Sequence, residues 1–171
     1  MNNGFIAPPT SGKKLREWAR ITRRQLGFEN KLYLPIVHIL EWALPEEWHV
    51  VISEEAEMGS KHGEVLPLEK VVKIRQDVYY GAIENKGRDR FTVAHELAHA
   101  CLHGSLVTFA RVAPNQKVET FRLAEWQADR GAGELLVPCH LIGGMTAETI
   151  SQQCGVSLSA AQTQLRNCVN S

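Results

Sequence analysis

The chain has 171 residues, 44% hydrophobic and 22% charged, a globular composition long enough for one domain with a packed core. Its 19 basic residues are balanced by 19 acidic ones, so no overall field draws it to nucleic acid or to an anionic membrane. The longest apolar run, Leu32 to Leu40, is broken by Pro35 and His38 and falls short of the ~20 residues a spanning helix needs. The start, MNNGFIAPPT, carries neither a basic nor an apolar leader. Cys101, Cys139, Cys154 and Cys168 form no Cys-x-x-Cys pair. The expectation is a reduced, soluble, cytoplasmic protein whose cysteines are small core residues.

Residues 1–10, rich in proline and small polar residues, are expected to be flexible. Leu15, Trp18, Ala19, Thr22 and Leu26 recur at helical spacing over 12–26, with Gly27 as the stop. The opposite face is basic (Lys13, Lys14, Arg16, Arg20, Arg23, Arg24) and reads as solvated. Pro35 fits the first turn of a second helix carrying Ile36, Ile39, Leu40 and Ala43, ended by Pro45. His49–Ser53 and Val71–Arg75 read as strands, Tyr79–Ile83 as a third, and the polar stretch 54–64 as a loop. A helix follows over 89–103 with Gly104 at its end, then a strand-like piece, Val107–Val112. A long helix over 119–137 is closed by Pro138, and two short helices, 146–153 and 157–167, flank Gly155. No repeat or linker divides the chain, so 1–171 is expected to be a single domain with the 146–167 helix pair packed on its core.

The helix over 89–103 contains HELAH. Residues four apart share a helical face, so His95 and His99 can aim their imidazoles at one point. A zinc ion accepts neutral imidazole nitrogen, and catalytic sites combine three protein ligands with a water in the fourth position. Glu96 can reach that water and act as general base. Phe91, Ala94, Leu97, Ala98 and Leu102 would anchor the helix in the core. The third ligand discriminates among zincin classes. A metzincin would need glycine at 102 and histidine at 105, where this chain has Leu102 and Ser105. In EWQAD, Glu125 and Asp129 are four apart on the next long helix. That order suits Glu125 as ligand and Asp129 as support for a ligand histidine. His103 is one turn beyond His99, too far along to share the same tetrahedral ion, and reads as a supporting or packing residue. Tyr79, Tyr80, Arg90 and His103 are unranked candidates for oxyanion stabilisation. His38, His49, His62 and His140 have no metal-like spacing.

Through VVKIRQDVYYGAIENKGRDRFTVAHELAHACLH and EWQADRGAGELLVP, and on to GVSLSAAQTQLRN, the chain resembles the ImmA/IrrE zinc metallopeptidases of bacteria, phages and other mobile elements. The resemblance implies one zinc per chain bound by His95, His99 and Glu125, with Glu96 as general base. It implies a mostly helical, zincin-like α+β fold, with a small three-stranded antiparallel or mixed sheet packed on the HExxH helix. The implied substrate is a helix-turn-helix repressor or antitoxin. Three departures stand out: Arg130 and Gly131, followed by Gly133, where a bulky aromatic is common; Asp129 where asparagine is common; and Ala98 in place of a frequent glycine. Two glycines inside a helix cost ~1 kcal/mol each relative to alanine unless close packing uses the missing side chains.

The expected function is therefore a zinc endopeptidase of narrow specificity. The alternative is a non-catalytic binding module or toxin-antitoxin component. ETISQQCGVSLSAAQTQLRN has a helix-turn-helix pattern, but its second helix carries Arg166 as its only cation, too little for phosphate contacts. Packing onto the core is the preferred reading of that pair, with neither nucleic acid nor membrane as partner. The sequence leaves the oligomeric state open.

Overall fold

The computed structural model describes residues 5–105, 110–111 and 117–169. Three strands form a mixed sheet in the order β2-β4-β3, in which β2 (His49–Ser53) runs parallel to β4 (Val71–Arg75) and β3 (Gly63–Leu66) runs antiparallel to it. β4 is central because its Val72 and Ile74 alternate onto the core face, where both are fully buried. Against the sheet pack α4 (Gln76–Ile83) and α5 (Gly87–His103), and α2 (Ile36–Ala43) packs on both of these helices. On the other side of α5 lies α6 (Ala124–Leu136), itself covered by α1 (Gly12–Gln25). The core runs through Ile36, Leu40, Ile74, Val93, Leu97, Leu135 and Ile150. This is the expected α+β architecture with its small mixed sheet on the HExxH helix.

The third strand is not where the pattern placed it. Tyr79–Ile83 lies within helix α4, because Val78 and Ala82, four apart, are both buried, and that packing overrides the β-preference of Tyr and Ile. The strand is instead Gly63–Leu66, beginning in the stretch expected as a loop, which also holds a one-turn helix, α3 (Glu55–Met58). Of the piece expected as a strand at Val107–Val112, Ala110–Arg111 form β5; residues 107–109 and 112 lie outside the described residues.

The expected long helix over 119–137 is broken. Thr120–Arg122 form a 3-10 turn, Leu123 is extended, and α6 starts at Ala124. The cause is the N-terminal segment. Phe5–Ile6 form β1, paired antiparallel with β5; Ile6 bridges Leu123, and the Ala7 amide donates to the Arg122 carbonyl at 2.8 Å. A residue in a β-bridge cannot also continue a helix, so Glu125 falls in the first turn of α6. Residues 5–8, within the stretch expected to be flexible, thus make contacts with β5, Arg122, Leu123 and Gln127. Ala7 is buried, and residues 1–4 lie outside the described set.

The helix pair α7 (Ala147–Cys154) and α8 (Leu158–Val169) turns at Gly155, whose φ of 65° suits glycine. Ile150, Cys154, Val156 and Ala161 of this segment are buried. The cysteine expectation needs correcting. Cys139 and Cys168 form a disulfide joining the segment after α6 to α8, Cys101 is exposed, and of the two free thiols Cys154 is the buried one. The basic face of α1 is tied down more than a solvated face would be. Arg16 pairs with Glu134, Arg20 and Arg24 pair with Glu29, and the buried Arg23 donates to the Lys31, Leu32 and Leu135 carbonyls. No helix among the described residues is long and apolar enough to cross a membrane.

Candidate metal centre

Helices α5 and α6 pack more extensively on each other than any other pair of elements, and small residues allow their close approach. A Cβ built on Gly131 would sit 3.4 Å from the Ala98 Cβ and 3.1 Å from the Trp18 ring. The departures from the family pattern therefore meet in space. Ala98 fills room that a glycine would leave, and Gly131 vacates room that a larger residue would need. One on Gly133 would come within 2.9 Å of the Gln164 Oε1. Close packing thus uses both missing side chains, which offsets their helix-propensity cost.

This contact brings His95 and His99 of α5 against Glu125 of α6. The His95 Nε2 lies 3.4 Å from Glu125 Oε2, the His99 Nε2 lies 3.3 Å from Glu125 Oε1, and one ligand atom from each residue falls within 4.8 Å of the others. Tetrahedral zinc with bonds of about 2.0–2.1 Å has ligand-ligand edges of roughly 3.3 Å. Each imidazole nitrogen is near that distance from one of the two Glu125 oxygens, and two imidazoles with one carboxylate are a donor set suited to zinc. Among the described residues no other group of three or more His, Cys, Asp or Glu side chains could hold a metal ion.

Each histidine is held from behind. His95 Nδ1 is 2.8 Å from Asp129 Oδ1, and His99 Nδ1 is 3.1 Å from His103 Nδ1. Hydrogen bonds from both histidines hold the Glu125 carboxyl well below the usual carboxylate range, against the opposing effect of burial. For His95, burial lowers the pKa, but hydrogen bonds to Asp129 and Glu125 outweigh it and hold the imidazole up to about 10. The charge that these carboxylates stabilise can be carried by a proton or by a metal ion in its place.

Glu96 is 7% exposed; burial pushes its carboxyl above the usual range, an effect the neighbouring His95 and His99 oppose. Its side chain lies under the backbone of β3. A Cβ added to Gly63 would be 2.5 Å from Glu96 Cγ and 2.6 Å from its Oε1. Gly63 is thus a site residue that sequence reasoning missed. A cleft of about 470 Å³ opens between the helices and β3, with Phe5, Lys61, Gly63, Glu64, Val65 and Leu66 facing His95, Glu96, His99, His103 and Glu125. β3 pairs with β4 on one side only, so its other edge is free among the described residues.

Three expected site residues lie elsewhere. The Tyr79 hydroxyl donates to Glu41, raising its pKa to about 12, and Tyr80 packs edge-on against Tyr79. The buried Arg90 donates to the carbonyls of Leu34, Cys154 and Gly155 and to the Tyr33 hydroxyl, cross-linking α5 to the α7-α8 turn. None of the three lines the cleft. Of the oxyanion candidates, only His103 remains there. Glu125 and Asp129 do not lie on the buried face of α6. Their side chains are 57% and 62% exposed, whereas the buried carboxylate of α6 is Glu134, bound to Arg16 and Arg130.

The sequence profile of the IrrE N-terminal-like domain family, Peptidase_M78, matches residues 49–166, which run from β2 into α8 and include His95, Glu96, His99, His103, Glu125 and Asp129. The chain belongs to this family. No curated protein resembles the sequence closely enough to count as a relative. A Mycobacterium tuberculosis transcriptional regulator has a similar fold, with a TM-score of 0.58 at 17% identity over 88% of this chain and 46% of that one. The IrrE-like chain thus spans less than half of that regulator's length.

Proposed function

We propose that the chain is a zinc-dependent endopeptidase. The observation that carries this reading is the convergence of His95, His99 and Glu125 at zinc-like separations, with Glu96 beside them in an open cleft. Zinc, when bound, polarises a scissile carbonyl and acidifies water. The chain's own residues supply the rest. Asp129 and His103 hold the two imidazoles, Glu96 takes a proton from water and returns it to the leaving amine, and the raised affinity of its carboxyl for a proton suits that exchange. The free edge of β3 offers backbone donors and acceptors to an extended peptide, which would pair with it as an added strand. A folded protein presents few such segments, consistent with narrow specificity.

Kinship favours a helix-turn-helix repressor or antitoxin as substrate, in a cytoplasmic, transcription-regulating or toxin-antitoxin setting on a mobile element. The fold shared with a transcriptional regulator agrees with that setting but carries fold alone. In a reducing cytoplasm the Cys139–Cys168 bond would be exposed to the thiol pool.

The test is to mix zinc-loaded protein with helix-turn-helix proteins from the same source and map fragments by mass spectrometry. Cleavage at one or a few bonds, abolished by Glu96→Gln, is expected. Fragments that persist in the Glu96→Gln protein, or no fragments from a folded, zinc-loaded wild type, would overturn the reading.

A further inference from the structure

A second cavity, of about 620 Å³, lies beside the cleft, with walls from three helices: Arg88, Phe91 and Thr92 of α5, Trp126 and Asp129 of α6, and Thr163 of α8. The two spaces meet at the metal centre. Asp129 in the cavity wall holds His95 in the cleft wall, and His62 and Trp126 of the cavity are chain neighbours of Gly63 and Glu125 of the cleft. A peptide that pairs with β3 and continues past Gly63 therefore enters this cavity.

The charges lining the cavity are unequal in what they are bound to. Asp129 is engaged with His95, and Arg130 with Glu134. The Arg88 side chain is exposed and, among the described residues, has no hydrogen-bond or ion-pair partner. Phe91 and Trp126, both half-buried, supply apolar surface in the same cavity. A peptide packed on that surface would displace water from around Arg88, and the fork of a guanidinium matches a carboxylate through two parallel hydrogen bonds. The position of Arg88 also sets a distance. Arg88, Thr92, His95 and His99 recur at intervals of four, three and four residues, so they follow one face of α5. From Arg88 to His95 is about 10 Å along the helix axis, the length of about three residues of extended chain.

We propose that Arg88 is a specificity-determining residue, and that the cavity beside it takes the part of an extended peptide substrate bearing an Asp or Glu about three residues from the scissile bond. The inference rests on the reading of the cleft as a peptide-cleaving site and names what that site selects. A Lys or Arg at the same place would meet Arg88 as a like charge, so one residue both attracts the acidic peptide and rejects the basic one.

The test reads binding apart from cleavage. Zinc-loaded Glu96→Gln protein is applied to an array of short random-sequence peptides, and the array is probed again with the protein carrying Arg88→Glu in addition. Bound peptides should be enriched in Asp or Glu with the first protein and in Lys or Arg with the second. An acidic peptide selected in this way should bind the Arg88→Glu protein about tenfold or more weakly in a fluorescence anisotropy titration, the loss expected for one charge-assisted pair. Arg88→Lys, which keeps the charge and loses the fork, should retain a weaker acidic preference. Zinc-loaded wild type should then cut the selected peptides about three residues from the acid. Peptides bound with no acidic preference, or with the same preference whatever stands at position 88, would overturn the inference and leave the peptidase reading intact. So would cleavage at the bond beside the acid. An acidic preference that depends on Arg88, in peptides that the wild type never cuts, would overturn the peptidase reading and leave the ligand of this cavity as assigned. An array that binds no peptide would contradict both.

Discussion

The two walls of the cleft are built on different principles. The helical wall, α5 and α6, places its candidate ligands by periodicity and anchors them through buried neighbours. His95 and His99 are four apart, Leu97 and Ala98 anchor the same helix, and the Ala98–Gly131 contact sets the spacing to Glu125. The strand wall, β3, has four residues of intermediate burial, one bare edge and a glycine over Glu96. The difference separates labour within the site. The helices determine what is bound, and the strand determines how Glu96 lies and what can lie beside it.

The largest expected effect breaks the helical wall. Glu96→Gln should lower cleavage by about 10²–10⁴-fold, the usual range for loss of a general acid-base group, while zinc content measured by mass spectrometry stays near one per chain. Next is the strand wall. Gly63→Ala should move the Glu96 carboxyl and lower kcat by roughly 10²-fold, again with zinc retained. If Gly63→Ala loses zinc instead, the two walls are not separable in this way. Asp129→Ala removes the carboxylate behind His95 and should weaken zinc binding about 10–100-fold in a chelator competition. The smallest effect concerns the spacing between the helices. Gly131→Leu, forced against Trp18, Ala98 and Leu102, should cost ~1–3 kcal/mol in urea unfolding and weaken zinc binding in step. A stability loss with unchanged affinity would show that the Ala98–Gly131 contact does not set the ligand spacing.

The same contrast explains what could be read from the sequence. His95, Glu96 and His99 were legible because helical periodicity converts spacing into direction. Glu125 was legible because it is four residues from Asp129 in a segment of helical pattern. β3 was not, because four residues that begin in a polar stretch carry no usable alternation. The tyrosines of α4 carried strand propensity that helix packing overrode. Gly63 and Gln127 gave weak signals at most. A lone glycine before Val65-Leu66 and a glutamine among alanines acquire meaning only when distant segments meet them, Glu96 in one case and Pro8 in the other. The 3-10 break at Leu123 has the same origin, since its cause lies more than a hundred residues away at Ile6. Long-range pairing also explains the cysteines. Cys139 and Cys168 are separated by 29 residues, and the packing of α8 brings their Cα atoms to 5.5 Å.

The central claim is that two helices build one zinc site from His95, His99 and Glu125. Anomalous diffraction from crystals of the zinc-loaded protein, collected above and below the zinc edge, tests it most directly. A single strong peak bonded to His95 Nε2, His99 Nε2 and the Glu125 carboxylate is predicted, absent from Glu125→Ala crystals. A peak at other residues, or none in the wild type at saturating zinc, would contradict it.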